Sequence, residues 1–424
     1  MSVVVGAWPN AANLVVFPLV MGAVGVPSER LWWLSVCRSW FGRARGWRWS
    51  VEPDVGRVLF VDAISLGVLT TWVPRDPVEG AIAEHGKQAK RKGGSLPAHV
   101  MVYFVVALAL LRDRDYEGVM RKLTDPLRWL GSWDDSWVLP TSAGLTKARQ
   151  RLGFETIKSV FERIAVPVAG LLTRDAFVAG RRLVSIDGMV FDVPDTDTNT
   201  AEFGKPTGGV FPQARVVTLT ETASHVSLDA EIGPIAGKGT GERSAARALL
   251  RRLEPDMLLL ADAGFYSFDL WCKAIDTGAD VLWRIGDIMD LPVVASCGDG
   301  SYLTLLFDPA TRPEDRAALL VRARAGDDLT DDAHRVRVAR VVEYDVPGHG
   351  SGELICLLTS ILGPRDAHAK LLAHTYHFRW QHEEANKEIK NQLRGPGRIL
   401  GLRTRTWSAR SSTASSSPTT PSAR

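Results

Sequence analysis

The chain of 424 residues has an ordinary apolar share of 45% and room for about two or three domains. Its 51 basic and 48 acidic residues leave a net charge of +3, too balanced for bulk charge to indicate nucleic-acid binding. Cys37, Cys272, Cys297 and Cys356 form no C-x-x-C pair and no zinc spacing, and reduced, structural thiols in a cytosolic protein are expected.

Residues 1–55 carry six of the 14 Trp residues (Trp8, Trp32, Trp33, Trp40, Trp47 and Trp49) and no clear period. They read as an N-terminal extension without an assigned function. The apolar run 11–26 is interrupted by Asn13 and Pro18 and lacks a basic start, which argues against a signal peptide. Residues 56–160 read as helical. The apolar run 96–111 is too short for the roughly 20 residues a bilayer span needs, and predicts a buried helix. A second helix begins over 115–123. Residues 141–153 predict a capped basic helix that stops at Gly153. Two basic clusters stand here: Lys87, Lys90, Arg91 and Lys92, then Lys147, Arg149 and Arg151. Such clusters are solvated faces or phosphate contacts.

The sheet core follows. Residues 181–193 form an apolar, β-branched run that carries Asp187, with Gly188 next. Residues 214–220 and 226–232 alternate and predict a hairpin. Residues 242–253 predict a helix. The apolar run 257–261 ends at Asp262, with Gly264 just beyond. A helix over 268–275 and a strand over 280–285 complete the unit. Short apolar runs flanked by Gly are buried strands, and Asp262 at a strand end lies at the sheet's carboxyl edge, where ligands bind in open α/β sheets. Alone, each Asp is equally a turn residue. The gap from Asp262 to Glu383 is 121 residues and contains two further strands, over 334–346 and 353–362. Trp283 reads as a core aromatic, with base stacking as the alternative.

The most informative segment is Y-H-F-R-W-Q-H-E-E-A-N-K-E-I-K, in which Tyr376, Arg379, Glu383 and Lys390 are spaced Y-x2-R-x3-E-x6-K. At about 100° per residue these four fall within roughly 60° of one helix face. Leu371, Phe378, Ala385 and Ile389 fall opposite and predict a buried apolar back. Two strand-borne aspartates and one helix-borne glutamate suit hard divalent cations, and two such ions can drive an in-line phosphoryl transfer. After 402 the periodicity disappears into Ser, Thr, Ala, Pro and Arg, a composition that predicts disorder over 401–424 and suggests a frameshift near Gly401.

These residues resemble the DDE transposases of the insertion-sequence-four family. The resemblance covers about residues 60–400. It rests on Asp187, Asp262 and Glu383, on the Y-x2-R-x3-E-x6-K pattern, on D-A-G-F-Y after the second strand, on V-P-D-T-D-T-N at 193–199, on R-A-R-A-type basic segments and on N-Q-L-R-G-P-G-R at 391–398. It implies an α/β, RNase H-like catalytic core over 175–400, with a β-rich insertion over about 286–365. It implies a helical DNA-binding domain over 56–160. It also implies cut-and-paste transposition of an insertion sequence with two Mg²⁺ ions, for which Mn²⁺ can substitute. Asp187, Asp262 and Glu383 would be the catalytic metal ligands, and Tyr376, Arg379 and Lys390 would contact the transposon end. The partners would be double-stranded DNA, as terminal inverted repeats and target, and a second copy of the chain on that DNA. No membrane is involved, and the location would be the bacterial cytoplasm, at the nucleoid. Asp195, Thr196 and Asn199 would support the site, a turn cap being the alternative. Ala263 stands where the family often has Arg, which removes no ligand and implies a lower rate. The alternatives are a catalytically inactive DNA-binding relic, which would bind without cutting, and a stand-alone nuclease without preference for the repeats.

Overall fold

The computed structural model describes residues 66–89, 96–111, 114–129, 136–237, 239–286, 289–345 and 354–387. The Trp-rich start, the basic residues Lys90, Arg91 and Lys92, Lys390 and the Ser/Thr-rich tail lie outside these. Among the described residues no helix is long and apolar enough to cross a membrane.

Six helices come first: α1 (Leu66–Trp72), α2 (Arg75–Glu84), α3 (Ala98–Leu110), α4 (Tyr116–Trp129), α5 (Ser142–Leu152) and α6 (Phe154–Ile164). α3 is the apolar run, and its residues from Val100 to Leu110 are all buried, so the other helices pack round it. α5 starts and stops on the expected signals: the Thr141 side chain accepts from Gly144 N–H, and Gly153 follows with φ 77°. Its basic face is split. Lys147 and Arg151 are exposed, whereas Arg149 is buried and stacks over the Tyr116 ring at 5.4 Å. Arg149 is therefore a core cation held by an aromatic face rather than part of an outward basic cluster.

The second part is built on one mixed sheet. Its strands are β1 (Phe177–Val178), β2 (Arg181–Asp192), β3 (Gln213–Glu221), β4 (Ser227–Pro234), β5 (Met257–Ala261), β6 (Asp280–Ile285), β7 (Val293–Ser296), β8 (Tyr302–Phe307), β9 (Val336–Asp345) and β10 (Leu354–Thr359). The helices are α7 (Asp197–Phe203), α8 (Glu242–Leu249), α9 (Phe268–Ile275), α10 (Pro313–Ala325), α11 (Ala369–Tyr376) and α12 (Arg379–Lys387). The strand order is β4-β3-β2-β5-β6-β10-β9-β8-β7, with β1 paired to β2. β4, β3 and β2 are antiparallel, and β5 and β6 then run parallel to β2. That is the RNase H-like order, with α8 and α9 as the crossovers.

The β-rich insertion is a continuation of the same sheet. β10 pairs antiparallel with β6, so β10-β9-β8-β7 lengthens the core sheet by its open edge. Pairing that edge satisfies the backbone groups β6 would otherwise expose. Trp283 in β6 is fully buried and meets Trp271 edge-to-face at 5.4 Å, which makes it a core residue. The N-terminal helices share a core with Met189, Phe191, Val193, Ala214 and Val216 at one end of β2 and β3.

Candidate active site

Asp187 lies in the middle of β2, and Asp262 follows directly on β5. The parallel register pairs Arg182 with Met257 and Ser185 with Leu260. Two further steps along both strands set Asp187 beside Asp262. Both carboxylates are tied to the next backbone N–H: Gly188 N donates to Asp187 Oδ1 at 2.8 Å, and Ala263 N to Asp262 Oδ1 at 2.8 Å. A Cβ at Gly188 would lie 2.5 Å from Glu242 Oε1 on the opposite face, so a side chain there requires the Glu242 carboxylate to move.

The segment carrying Tyr376, Arg379 and Glu383 is two helices, not one. α11 ends at Tyr376, and α12 begins at Arg379 after a turn at His377 and Phe378. The buried face also differs from the expected one. Leu371 is 40% exposed and Trp380 55% exposed, whereas Tyr376, Arg379, His382 and Asn386 are buried with Ala385. Phe378 packs on the core as expected. The polar stripe is the one pressed on the sheet, because the sheet under α12 presents Ser185, Asp187, Thr218 and Thr220. A polar surface is best covered by groups that hydrogen-bond to it.

Arg379 Nη2 donates to Glu383 Oε1 at 2.8 Å, and its guanidinium lies over the Tyr376 ring at 5.8 Å. Burial works against the Arg379 charge, but Tyr376, Asp262 and Glu383 outweigh it and raise its pKa. Arg379 Nε is buried without a hydrogen-bond partner. Burial raises the Asp187 carboxyl, and the Asp262 charge adds to this; Gly188 N–H, Arg379 and Asn386 pull the other way. Burial also raises the Tyr376 phenol, whose hydroxyl lies 3.5 Å from Ala261 O. The structure thus brings Asp187, Asp262, Arg379, Glu383 and Tyr376 into one electrostatic cluster. Lys390 lies outside the described residues.

Two residues of this cluster were not anticipated. Asn386 Nδ2 donates to Asp187 Oδ2 at 2.8 Å. His382 is fully buried, with Nδ1 2.8 Å from Ser185 Oγ, and Nε2 2.9 Å from Thr218 Oγ1 and 3.2 Å from Thr220 Oγ1. Burial pushes the imidazole down to about 3, so the ring is neutral at physiological pH. The signal for both was the polar series at 379, 382, 383 and 386, spaced for one helix face. At 195–199 the turn-cap alternative describes the contacts. Thr196 accepts from Asn199 N to cap α7, Asn199 Nδ2 donates to Pro194 O, and Asp195 pairs with Lys205 at the surface.

An RNase H-like sheet with two adjacent strand-borne aspartates under a glutamate-bearing helix defines a nucleic-acid strand-processing core. The transposase DDE domain family matches residues 179–404, which include all three acids, and the insertion element 4 transposase N-terminal family matches residues 63–162. The chain belongs to the DDE transposases of the insertion-sequence-four family. It is 26% identical over 331 residues to "Transposase InsG for insertion sequence element IS4" of Escherichia coli (strain K12), across 77% of this chain and 68% of that protein. Among solved structures it is similar to the piggyBac transposase synaptic complex with hairpin DNA. That match has 9% identity and a TM-score of 0.34, over 77% of this chain and 69% of the other.

The family generally uses divalent metal ions. Among the described residues no three His, Cys, Asp or Glu side chains lie together closely enough to hold one, and Glu383 is bonded to Arg379 instead. The donor chemistry nonetheless fits. Asp187 and Asp262 offer only oxygen, and their mutual repulsion is what a hard cation relieves.

Proposed function

We propose that the protein moves an insertion sequence by cut-and-paste transposition, through end cleavage followed by strand transfer. The observation that supports this reading best is the parallel β2–β5 register, which carried two residues past Ser185 and Leu260 brings Asp187 beside Asp262, near a helix carrying Arg379 and Glu383. Asp187, Asp262 and Glu383 would hold divalent metal, two Mg²⁺ ions or Mn²⁺ in their place. Bound there, the metal supplies activation of the attacking oxygen and charge for the leaving oxygen. The chain's own residues do the rest. Asn386 and the Gly188 N–H fix the Asp187 carboxylate, and the Ala263 N–H fixes Asp262. Arg379 neutralises acids that would otherwise repel one another and the DNA.

Tyr376, Arg379 and Lys390 would contact the transposon end. Residues 56–160 bind the terminal repeats, with exposed Lys147 and Arg151 on phosphates, and 175–400 carry the chemistry. The working species is a dimer on DNA, in the cytoplasm at the nucleoid. The test is cleavage of DNA carrying the element's own ends, with Mg²⁺ or Mn²⁺, by wild type and Asp187→Ala. Cuts at the ends that need metal and vanish in the variant support the reading. Binding without any cut would identify a non-catalytic relic. Cuts without preference for the ends would identify a nuclease.

A further inference from the structure

One side chain joins the catalytic helix to the strand that carries Asp187 and to its antiparallel neighbour. Ser185 precedes Asp187 by two residues and shares its face of β2. Thr218 and Thr220 are the β3 partners of Asp187 and Ser185 in the antiparallel register. The His382 ring reaches all three hydroxyls, Ser185 through one nitrogen and the two threonines through the other. A neutral imidazole has one N–H and one acceptor nitrogen, and a hydroxyl serves as donor or acceptor. Both ring nitrogens are therefore satisfied, although the ring, Ser185, Thr218 and Thr220 are all buried.

The sequence neighbour of His382 is Glu383, and its next turn carries Asn386, which holds Asp187. Within α12 the Glu383 side chain is otherwise restrained by Arg379 of the same helix. That bond cannot fix where the helix stands over the sheet. The His382 bonds can, because their partners belong to β2 and β3. A leucine of similar bulk would fill the space and leave three hydroxyls to find other partners. Among the described residues α12 would then be tied to β2 by the Asn386 bond to Asp187 alone, with no bond to β3.

We propose that His382 is a positioning residue for DNA cleavage: it locks α12 to β2 and β3 and so sets Glu383 against Asp187 and Asp262. This rests on the transposase reading of those three acids. It concerns geometry alone, and the imidazole transfers no proton to substrate.

The test compares full-length wild type with His382→Leu, His382→Gln, Ser185→Ala and Asp187→Ala. The readouts are single-turnover end cleavage, end-DNA affinity, Mn²⁺ binding by calorimetry and thermal melting. A misplacement of about 1 Å costs on the order of 10²-fold in rate. Loss of a group that orients a metal ligand costs about 10–100-fold in metal affinity. The expected result for His382→Leu is therefore near-normal DNA affinity, a cleavage rate down about 100-fold and Mn²⁺ affinity down at least about tenfold. His382→Gln, whose amide reaches the threonine hydroxyls, should recover about tenfold of the rate. Ser185→Ala removes one bond and keeps the ring, so it should fall between wild type and the leucine variant. Because Ser185→Ala leaves α12 anchored to β3, it tests the proposal even if the leucine variant does not fold. Wild-type cleavage and Mn²⁺ affinity in His382→Leu, or in Ser185→Ala if the leucine variant is unfolded, would overturn the proposal alone. Equal losses in the Gln and Leu variants, with lowered melting and lost DNA binding, would also overturn it and mark His382 as core. A wild type that neither cuts nor binds Mn²⁺, like Asp187→Ala, would overturn the transposase reading and this proposal with it.

Discussion

The insertion should be tested as the support of α11 and α12, and Asp299→Ala is the perturbation. Asp299 sits in the turn between β7 and β8, with its side chain 5% exposed; Arg340 in β9 is fully buried. The two form an ion pair. Asp299 Oδ2 also accepts from Ala369 N at 2.7 Å, the first residue of α11, and Oδ1 from Ser301 Oγ at 2.6 Å. Arg340 Nε donates to Ser301 Oγ and Nη1 to Ala367 O, both at 2.7 Å. The network thus connects the β7–β8 turn and β9 of the insertion to the start of α11. Removing the carboxylate leaves a buried guanidinium without its counter-charge, a loss of about 3–5 kcal/mol. The assay is urea unfolding by circular dichroism, with hydrogen exchange over 361–376 to locate the effect. Replacing both partners, as in Asp299→Ala with Arg340→Leu, should be milder than the sum of the single changes. Burial opposes the Asp299 charge, but the bonds from Ser301 and Ala369 and the Arg340 charge outweigh it and hold the carboxyl at about 2. Its contribution is therefore present above about pH 4, the unfolded value, and is lost as pH falls towards 2. A loss under about 1 kcal/mol, the range of a surface change, would refute the strut. So would protection of 361–376 equal to wild type.

Five further outcomes are expected. Gly188→Ala should cost about 1 kcal/mol by displacing the half-exposed Glu242 carboxylate, and adding Glu242→Ala should remove most of that cost in the same denaturation assay. Arg149→Leu should lower stability by about 1 kcal/mol and leave DNA affinity unchanged, because its guanidinium faces Tyr116. Lys147→Ala with Arg151→Ala should do the reverse, reducing the salt dependence of DNA binding by roughly two charges in a filter-binding titration. Trp283→Ala should cost about 3–5 kcal/mol through the cavity left against Trp271. Removing divalent metal with a chelator should stop cleavage and spare DNA binding, with Mn²⁺ restoring the cuts.

β2 to β6, β9 and β10 were legible as apolar or alternating runs between glycines or turn residues, whereas β1 and β8 were passed over. β5 and β6 match their predicted limits to within a residue, and Asp262 falls where the run ends. What the sequence did not carry was register, which depends on a strand elsewhere in the chain. Only the β2–β5 pairing sets Asp187 beside Asp262. α10 was readable and passed over: Pro313 at its first turn, Glu314 and Asp315 next, and Gly326 at φ 86° are ordinary start and stop signals. β7 gave no signal, since three of its four residues are exposed and no alternation marks a buried side. The polar face of α12 misled because burial was inferred from apolarity. A helix that covers polar side chains reverses that rule.

The same reversal explains why the segment carrying Tyr376, Arg379 and Glu383 breaks in two. Along one face of the sheet the chemistry changes between successive positions. On β2 the series is Leu183, Ser185, Asp187, and on β5 it is Leu258, Leu260, Asp262. Leu183, Leu258 and Leu260 form one cluster with Ala369, Leu372 and Tyr376 of α11. Ser185 and Asp187 meet His382 and Asn386 of α12. Each helix thus lies over the half of the face that its own buried side chains match. The junction at His377 and Phe378 falls where leucine gives way to acid. A straight helix carrying both patterns would hold one stripe, whereas the sheet demands an apolar stripe and then a polar one at its own angle. Neither Gly nor Pro marks the break, because its cause lies in the surface beneath. Tyr376 is the hinge between the two regimes: its ring belongs to the leucine cluster, and the Arg379 guanidinium lies over it. The acids are therefore held at the edge of a close-packed apolar layer, and that layer fixes how near the charged helix can come.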